Sequence, residues 1–145
     1  MSENILFFSE NIQFVLKDKI QIRNWIREVI HESDYRAGKI SFIFCDDLYL
    51  SEINVKYLKH KSLTDIITFS YHQGTNLISG DIYISIPRVT ENAVKFKQAF
   101  WDELHRVIIH GVLHLMGHED STKLLREEMR KREDRYLSQL ESIVV

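Results

Sequence analysis

Apolar and polar positions alternate along the chain in two rhythms, one with a period of two residues and one with a period near 3.6. The apolar run ILFF at residues 5 to 8 predicts a short strand, and "DKIQIRNWIREVIHES" sets Ile22, Trp25, Ile26, Val29 and Ile30 on one helical stripe. "KISFIFCD" follows Gly38, is rich in β-branched and aromatic residues, and predicts a buried strand ending at Asp46, which is placed to cap the next helix. That helix is expected from about Asp47 to Tyr57, with Leu50, Ile53, Asn54 and Tyr57 on one side, before the polar loop "LKHKSLTD". "IITFSY" and "GDIYISI" predict two more strands, joined as a hairpin or near-hairpin through a segment holding Gly74, Asn76 and Gly80.

Pro87 stops the second of these strands and suits the first turn of a short helix, "RVTENAVKF". A longer helix is expected from about Gln98 to Met116. Its apolar side is Ala99, Leu104, Val107, Ile108, Gly111, Val112 and Leu115, and Gly117 falls where a left-handed C-cap belongs. The last helix starts near Ser121 or Thr122, with Leu124, Leu125, Met129, Tyr136, Leu137 and Leu140 as its buried stripe. Its segment "REEMRKREDR" mixes four acids with five bases and places Glu127/Lys131 and Glu128/Arg132 at i,i+4, so it reads as a solvated face rather than an RNA-binding helix. The order β-α-β-α-β-β-α-α-α predicts an α+β fold: a single domain over residues 1–145, with a mixed sheet of about four strands packed with about five helices.

With 145 residues, 44% hydrophobic and 28% charged, the chain can bury one core without disulfides. The single cysteine, Cys45, excludes an internal disulfide and a cysteine-rich zinc cluster, and is expected to pack. "MSENILFFSEN" lacks the basic start and long apolar region of a signal peptide, and no stretch reaches the ~18 apolar residues of a membrane span, so a cytoplasmic location and no membrane partner are expected. A net charge of -2 provides no general attraction to nucleic acid, so RNA binding would have to rest on a local patch.

The exception to apolar packing is "HGVLHLMGHED" at residues 110 to 120. His110 and His114 stand four apart on a helix and project from one face, so two imidazoles can grip one ion. After the Gly117 stop, the chain can bring Asp120 back toward that face. The spacing H-x-x-x-H-x-x-G-x-x-D matches the long zinc motif of the metzincins with a carboxylate for the third histidine, and predicts a zincin-like metal-binding helix. Three protein ligands would leave a fourth zinc position for water, whose pKa falls from ~15.7 to near 7. His118 and Glu119 compete with Asp120 as third ligand. Zinc proteases of this type carry a glutamate base directly after the first histidine, where Gly111 stands here, which counts against peptide hydrolysis and leaves room for another segment to approach the helix. His105, further back on the same helix, faces elsewhere and reads as structural.

These residues resemble the YbeY family, small bacterial endoribonucleases of ribosomal RNA maturation. "HGVLHLMGHED" stands where the family has H-G-x-L-H-L-x-G-Y-D-H, "NVKYLKHKSLTDIITF" is similar to N-x-x-Y-R-x-K-D-x-P-T-D-V-L-S-F, and "SGDIYIS" to G-D-I-x-I-S. The likeness runs from about Asn54 to Asp120. It implies one zinc ion per chain held by His110, His114 and Asp120, with Asp120 in the place of the family's third histidine. Leu58 replaces an arginine assigned to RNA binding or catalysis, and His118 replaces a tyrosine. Lys56, Lys59, His60 and Lys61 surround Leu58 and form either a positive rim for RNA or a merely solvated loop. Thr64 and Asp65 read first as turn and cap residues, with Asp65 as a positioning group for a ligand histidine the lesser reading.

The implied function is single-strand endoribonuclease activity in ribosomal RNA processing, including 16S rRNA 3′ end maturation, and ribosome quality control, with ribosomal RNA and ribosomal subunits as partners. No general base stands out. The alternatives are a ribosome-assembly binding factor with a structural zinc, to which Leu58 lends some weight, and a zinc hydrolase of another bond.

Overall fold

Period-two alternation divides each strand between two faces of a sheet, and the computed structural model realises it over the residues it describes, 4–58, 64–71 and 76–144. Four strands, β1 (Ile5–Glu10), β2 (Arg36–Cys45), β3 (Ile66–Ser70) and β4 (Leu77–Ser85), form one mixed sheet in the order β1-β2-β4-β3. β1 and β4 both run parallel to β2, while β3 lies antiparallel to β4 and forms an edge. The helices are α1 (Lys19–Glu32), α2 (Asp47–Ile53), α3 (Ile86–Lys95), α4 (Phe100–Leu115) and α5 (Lys123–Val144).

Ile5, Ile40, Phe42, Phe44, Ile78, Ile82 and Ile84 face one side of the sheet and build the main core with α1, α4 and α5. The expected stripe of α1 is the buried one. Trp25 is fully buried, and its indole nitrogen donates to the Tyr136 carbonyl at 2.8 Å, tying α1 to α5. On the other face a smaller cluster of Cys45, Leu50 and Ile67 lies under Tyr49, Ile53, Phe69 and Tyr83. Burial pushes the Cys45 thiol up to about 12, as the packing role expects.

Asp46 accepts from the Tyr49 amide at 2.8 Å and caps α2, and Ser85 caps α3 with Pro87 in its first turn. Several boundaries moved. α2 closes at Ile53 and continues as a π-helical turn, Asn54–Leu58, which buries Asn54 and turns Tyr57 outward, 58% exposed. β2 begins at Arg36, with Gly38 inside it at a register shift between Ala37 and Ile40. Gly80 belongs to β4 rather than to the connection, and Gly74 lies outside the described residues. Ala99 and Leu124 are exposed because each stands at a helix start, beyond the reach of the core.

The mixed-charge face of α5 is exposed at Arg126, Glu127, Arg130, Lys131, Asp134 and Arg135, but Glu133 and the expected i,i+4 pairs need correction. Glu133 is buried, and neither Glu127/Lys131 nor Glu128/Arg132 closes to an ion pair among the described residues. The ion pairs of α5 run instead to other helices, Arg106 to Glu133 and Asp134, and Arg135 to Glu32.

Candidate metal centre

Helix α4 carries the histidines across the sheet at close range because of Gly111. A Cβ at this position would stand 2.9 Å from Ile66 Cδ1 and 3.0 Å from Ile82 Cγ2, so only glycine lets β3 and β4 pack this near. The helix then stops in a Schellman motif: Gly117, at φ 95°, donates to the His114 carbonyl at 2.9 Å, and the His118 amide donates to the Leu113 carbonyl at 3.0 Å. The reversal returns the chain over the exposed side of α4.

Asp120 thereby reaches both histidines. Its Oδ2 lies 3.3 Å from His110 Nε2 and 3.3 Å from His114 Nε2, and the two ring nitrogens are 2.9 Å apart. These three atoms can hold one metal ion. Tetrahedral bonds of about 2.0–2.2 Å place neighbouring donors about 3.3–3.6 Å apart, so the observed edges suit a small ion with slight opening of the histidine pair. The alternatives for the third position, His118 and Glu119, are absent from this donor group among the described residues. His118 is instead held by its backbone in the helix stop, and burial lowers its pKa, with Arg132 and His114 acting in the same direction.

A carboxylate behind His110 fixes its orientation. His110 Nδ1 donates to Glu133 Oε2 at 2.6 Å, and Arg106 donates to Glu133 Oε1 at 2.8 Å and to Asp134 at 2.6 Å. This pins the His110 tautomer, leaving the Nε2 lone pair for a metal. Burial opposes charge on His110, but the hydrogen bond and charge of Glu133, with Asp120 and Asp65, outweigh it and raise its pKa. At His114 burial and the neighbouring His110 dominate, and its pKa falls.

Sequence reasoning passed over Glu133, although a signal existed. Met129, Glu133, Tyr136 and Leu140 are spaced by four, three and four, so the glutamate occupies a core position of α5. A carboxylate there needs partners inside the fold, and Arg106 and His110 are those partners.

Thr64 and Asp65 enter the neighbouring groove, which Asn54, Leu58, Ile66, Ile67 and Thr68 line together with the donor triad. Thr64 Oγ1 donates to the Ile66 carbonyl at 3.2 Å, a local contact, and the Asp65 carbonyl accepts from the Ser85 amide at 3.0 Å, which extends the β3–β4 ladder by one residue. The Asp65 carboxylate accepts from Asn92 at 3.4 Å, and burial raises its pKa against the opposing charge of His110. The hydrogen bond that orients His110 comes from Glu133, not from Asp65. His105 sits between Trp25 and Trp101, away from the donors, with ring centroids at 6.3 and 6.2 Å. Lys56 lies 5.2 Å from the Tyr57 ring, while Lys59, His60 and Lys61 lie outside the described residues.

The family model described as Endoribonuclease YbeY matches residues 7–141. The chain belongs to the YbeY family. It is 49% identical to the Endoribonuclease YbeY of Amoebophilus asiaticus, covering 92% of this chain and 91% of the relative, and 51% identical to that of Christiangramia forsetii, covering 90% of each. The solution structure of TM1509 from Thermotoga maritima shares the fold, with a TM-score of 0.66 at 23% identity over 94% of this chain and 88% of that one. Against the YbeY motif, Leu58 stands in place of arginine as a 42% exposed apolar residue on the groove wall. His118 stands in place of tyrosine at the helix stop.

Proposed function

We propose that this protein is a zinc-dependent endoribonuclease that cuts single-stranded segments of ribosomal RNA, including in 16S rRNA 3′ end maturation, and that serves ribosome quality control in the cytoplasm. Its substrates and partners on this reading are ribosomal RNA and ribosomal subunits. The observation that carries the reading is the convergence of His110, His114 and Asp120, each only partly buried, beside an open groove. Closed four-ligand sites are structural, whereas three protein ligands with an open side are the arrangement of hydrolytic zinc. Membership of a family whose curated relatives bear the name endoribonuclease supports RNA as the substrate.

Bound zinc would supply a Lewis acid for the phosphoryl oxygens and a hydroxide near neutral pH. The chain's own contribution begins with the donor face: His110 and His114 would hold the ion through Nε2, and the Asp120 carboxylate would offset its charge. Glu133, itself anchored by Arg106, keeps the proton of His110 on Nδ1 and so preserves that donor. Gly111 brings the wall of β3 against α4, so the groove runs beside the donor residues His110, His114 and Asp120.

The test is metal content followed by cleavage. Protein purified without added metal or a histidine tag is expected to carry about one zinc per chain. It should cut single-stranded ribosomal RNA fragments, lose that activity to a chelator and regain it with zinc. Cleavage unaffected by metal removal, or no zinc uptake at all, overturns the reading. Tight ribosome association by metal-saturated protein without cleavage would favour the assembly-factor alternative.

A further inference from the structure

A second cleft, of about 340 Å³, opens on the α5 side of the donor triad. His110 and Asp120 line it, as do Arg106, Arg126 and Arg130. The groove on the β3 side contains no cation among its described lining residues apart from the donor histidines. An RNA strand crossing the donor triad would carry a negative charge at every nucleotide, and among the described lining residues only the α5 side offers arginines to meet it.

The three arginines differ in what they already do. Arg106 is committed to Glu133 and Asp134. Arg126 makes one long contact, 3.5 Å to the Ser121 carbonyl, and Arg130 feels the charge of Glu103. Neither Arg126 nor Arg130 is ion-paired to a carboxylate among the described residues. Both are exposed and stand at i,i+4 on α5, so their guanidinia project from one face about a helical turn apart, close to the spacing of adjacent phosphates on an extended strand. Guanidinium is the side chain best shaped for bidentate contact with phosphate oxygens.

The cleft also contains carboxylates. Glu133 is satisfied by Arg106 and His110, and Asp120 belongs to the donor triad. Asp65 and Glu103 remain; Asp65 is partly buried and Glu103 is buried, and burial raises the pKa of each. Arg126 and Arg130, both exposed, are the more accessible charges of this cleft.

We propose that Arg126 and Arg130 form a phosphate clamp that holds the RNA backbone on the α5 side of the metal centre. This rests on the nuclease reading above, and it assigns to the two residues positioning of the strand, not chemistry at the reacting atoms.

The test compares wild type, the double variant Arg126→Gln/Arg130→Gln and the control Lys131→Gln, all zinc-loaded, in binding a short labelled 2′-O-methyl RNA over a range of salt. Lys131 is exposed on the same helix and lines neither side of the metal centre. Two lost phosphate contacts should make the plot of log affinity against log salt shallower by about 1.4. RNA cleavage by the double variant should show kcat/KM at least about tenfold lower, chiefly through KM. The control should follow wild type, and zinc content should be the same in all three. If the double variant folds poorly, each single substitution should still remove about 0.7 of slope. Wild type that binds and cuts RNA alongside a double variant of unchanged slope overturns the clamp alone. Equal loss in the double variant and the control also overturns the clamp, in favour of diffuse attraction. Wild type that neither binds nor cuts RNA overturns the clamp and the nuclease reading together.

Discussion

Glu133 Oε2 lies 2.6 Å from His110 Nδ1, and this contact links the buried stripe of α5 to the histidine-bearing side of α4. Glu133→Gln keeps the shape and an acceptor but removes the charge that makes the imidazole a stronger donor. Zinc affinity should fall about tenfold, at the lower end of what such supporting carboxylates contribute. Competition against a chelator of known affinity checks this; unchanged affinity would mean that the donors are oriented without Glu133.

His114→Ala removes one of three converging donors on a partly exposed surface. Stoichiometric zinc binding should disappear, while stability of the metal-free protein should change by less than about 1 kcal/mol. Asp120→Ala should weaken zinc binding more than His118→Ala, because His118 serves the helix stop through its backbone. Metal analysis with urea unfolding under chelation measures both effects, and the reverse order would transfer the third position to His118.

Gly111→Ala sets a helix-propensity gain of about 1 kcal/mol against a Cβ driven into Ile66 and the fully buried Ile82. Overpacking of this kind costs about 1–3 kcal/mol, so a net loss of about 1 kcal/mol is expected, with α4 displaced from β3. Denaturant unfolding gives the sign. A stabilised variant would show that β3 yields easily and that the close approach is not required.

His105 lies among aromatic rings, and burial lowers its pKa below 6.5 despite the opposing charges of Asp102 and Asp18. The unfolded chain therefore takes up a proton first as the pH falls. The stability contribution of the neutral ring is complete above about pH 6.5 and is lost as the pH drops toward the folded value, at no more than about 1.4 kcal/mol per pH unit. His105→Gln should flatten the stability profile between pH 6.5 and 5 relative to wild type in the same metal state. Identical slopes would show that this ring titrates alike in both states.

How much was legible before the fold was known follows from the range of the forces involved. The helical stripe of α1, the Asp46 cap, the left-handed Gly117 and the pairing of β3 with β4 are set by neighbours a few residues away, so they can be read from spacing. The donor set His110, His114 and Asp120 could be named for the same reason, since one helix and one turn bring its members together.

Contacts between distant segments were not legible in this way. Glu133 falls in the segment that reads as a solvated face, yet it lies between Arg106 and His110, while a local π-helical turn separates Tyr57 from the side it was expected to share with Leu50 and Asn54. Sequence by itself determined the elements, the metal-binding spacing and the family resemblance, because local propensity and periodicity encode them. Only the tertiary structure decided which carboxylate orients His110 and which arginines share a cleft with His110 and Asp120. Those choices depend on how α5 docks against α4, and that docking is a balance of packing over the whole core.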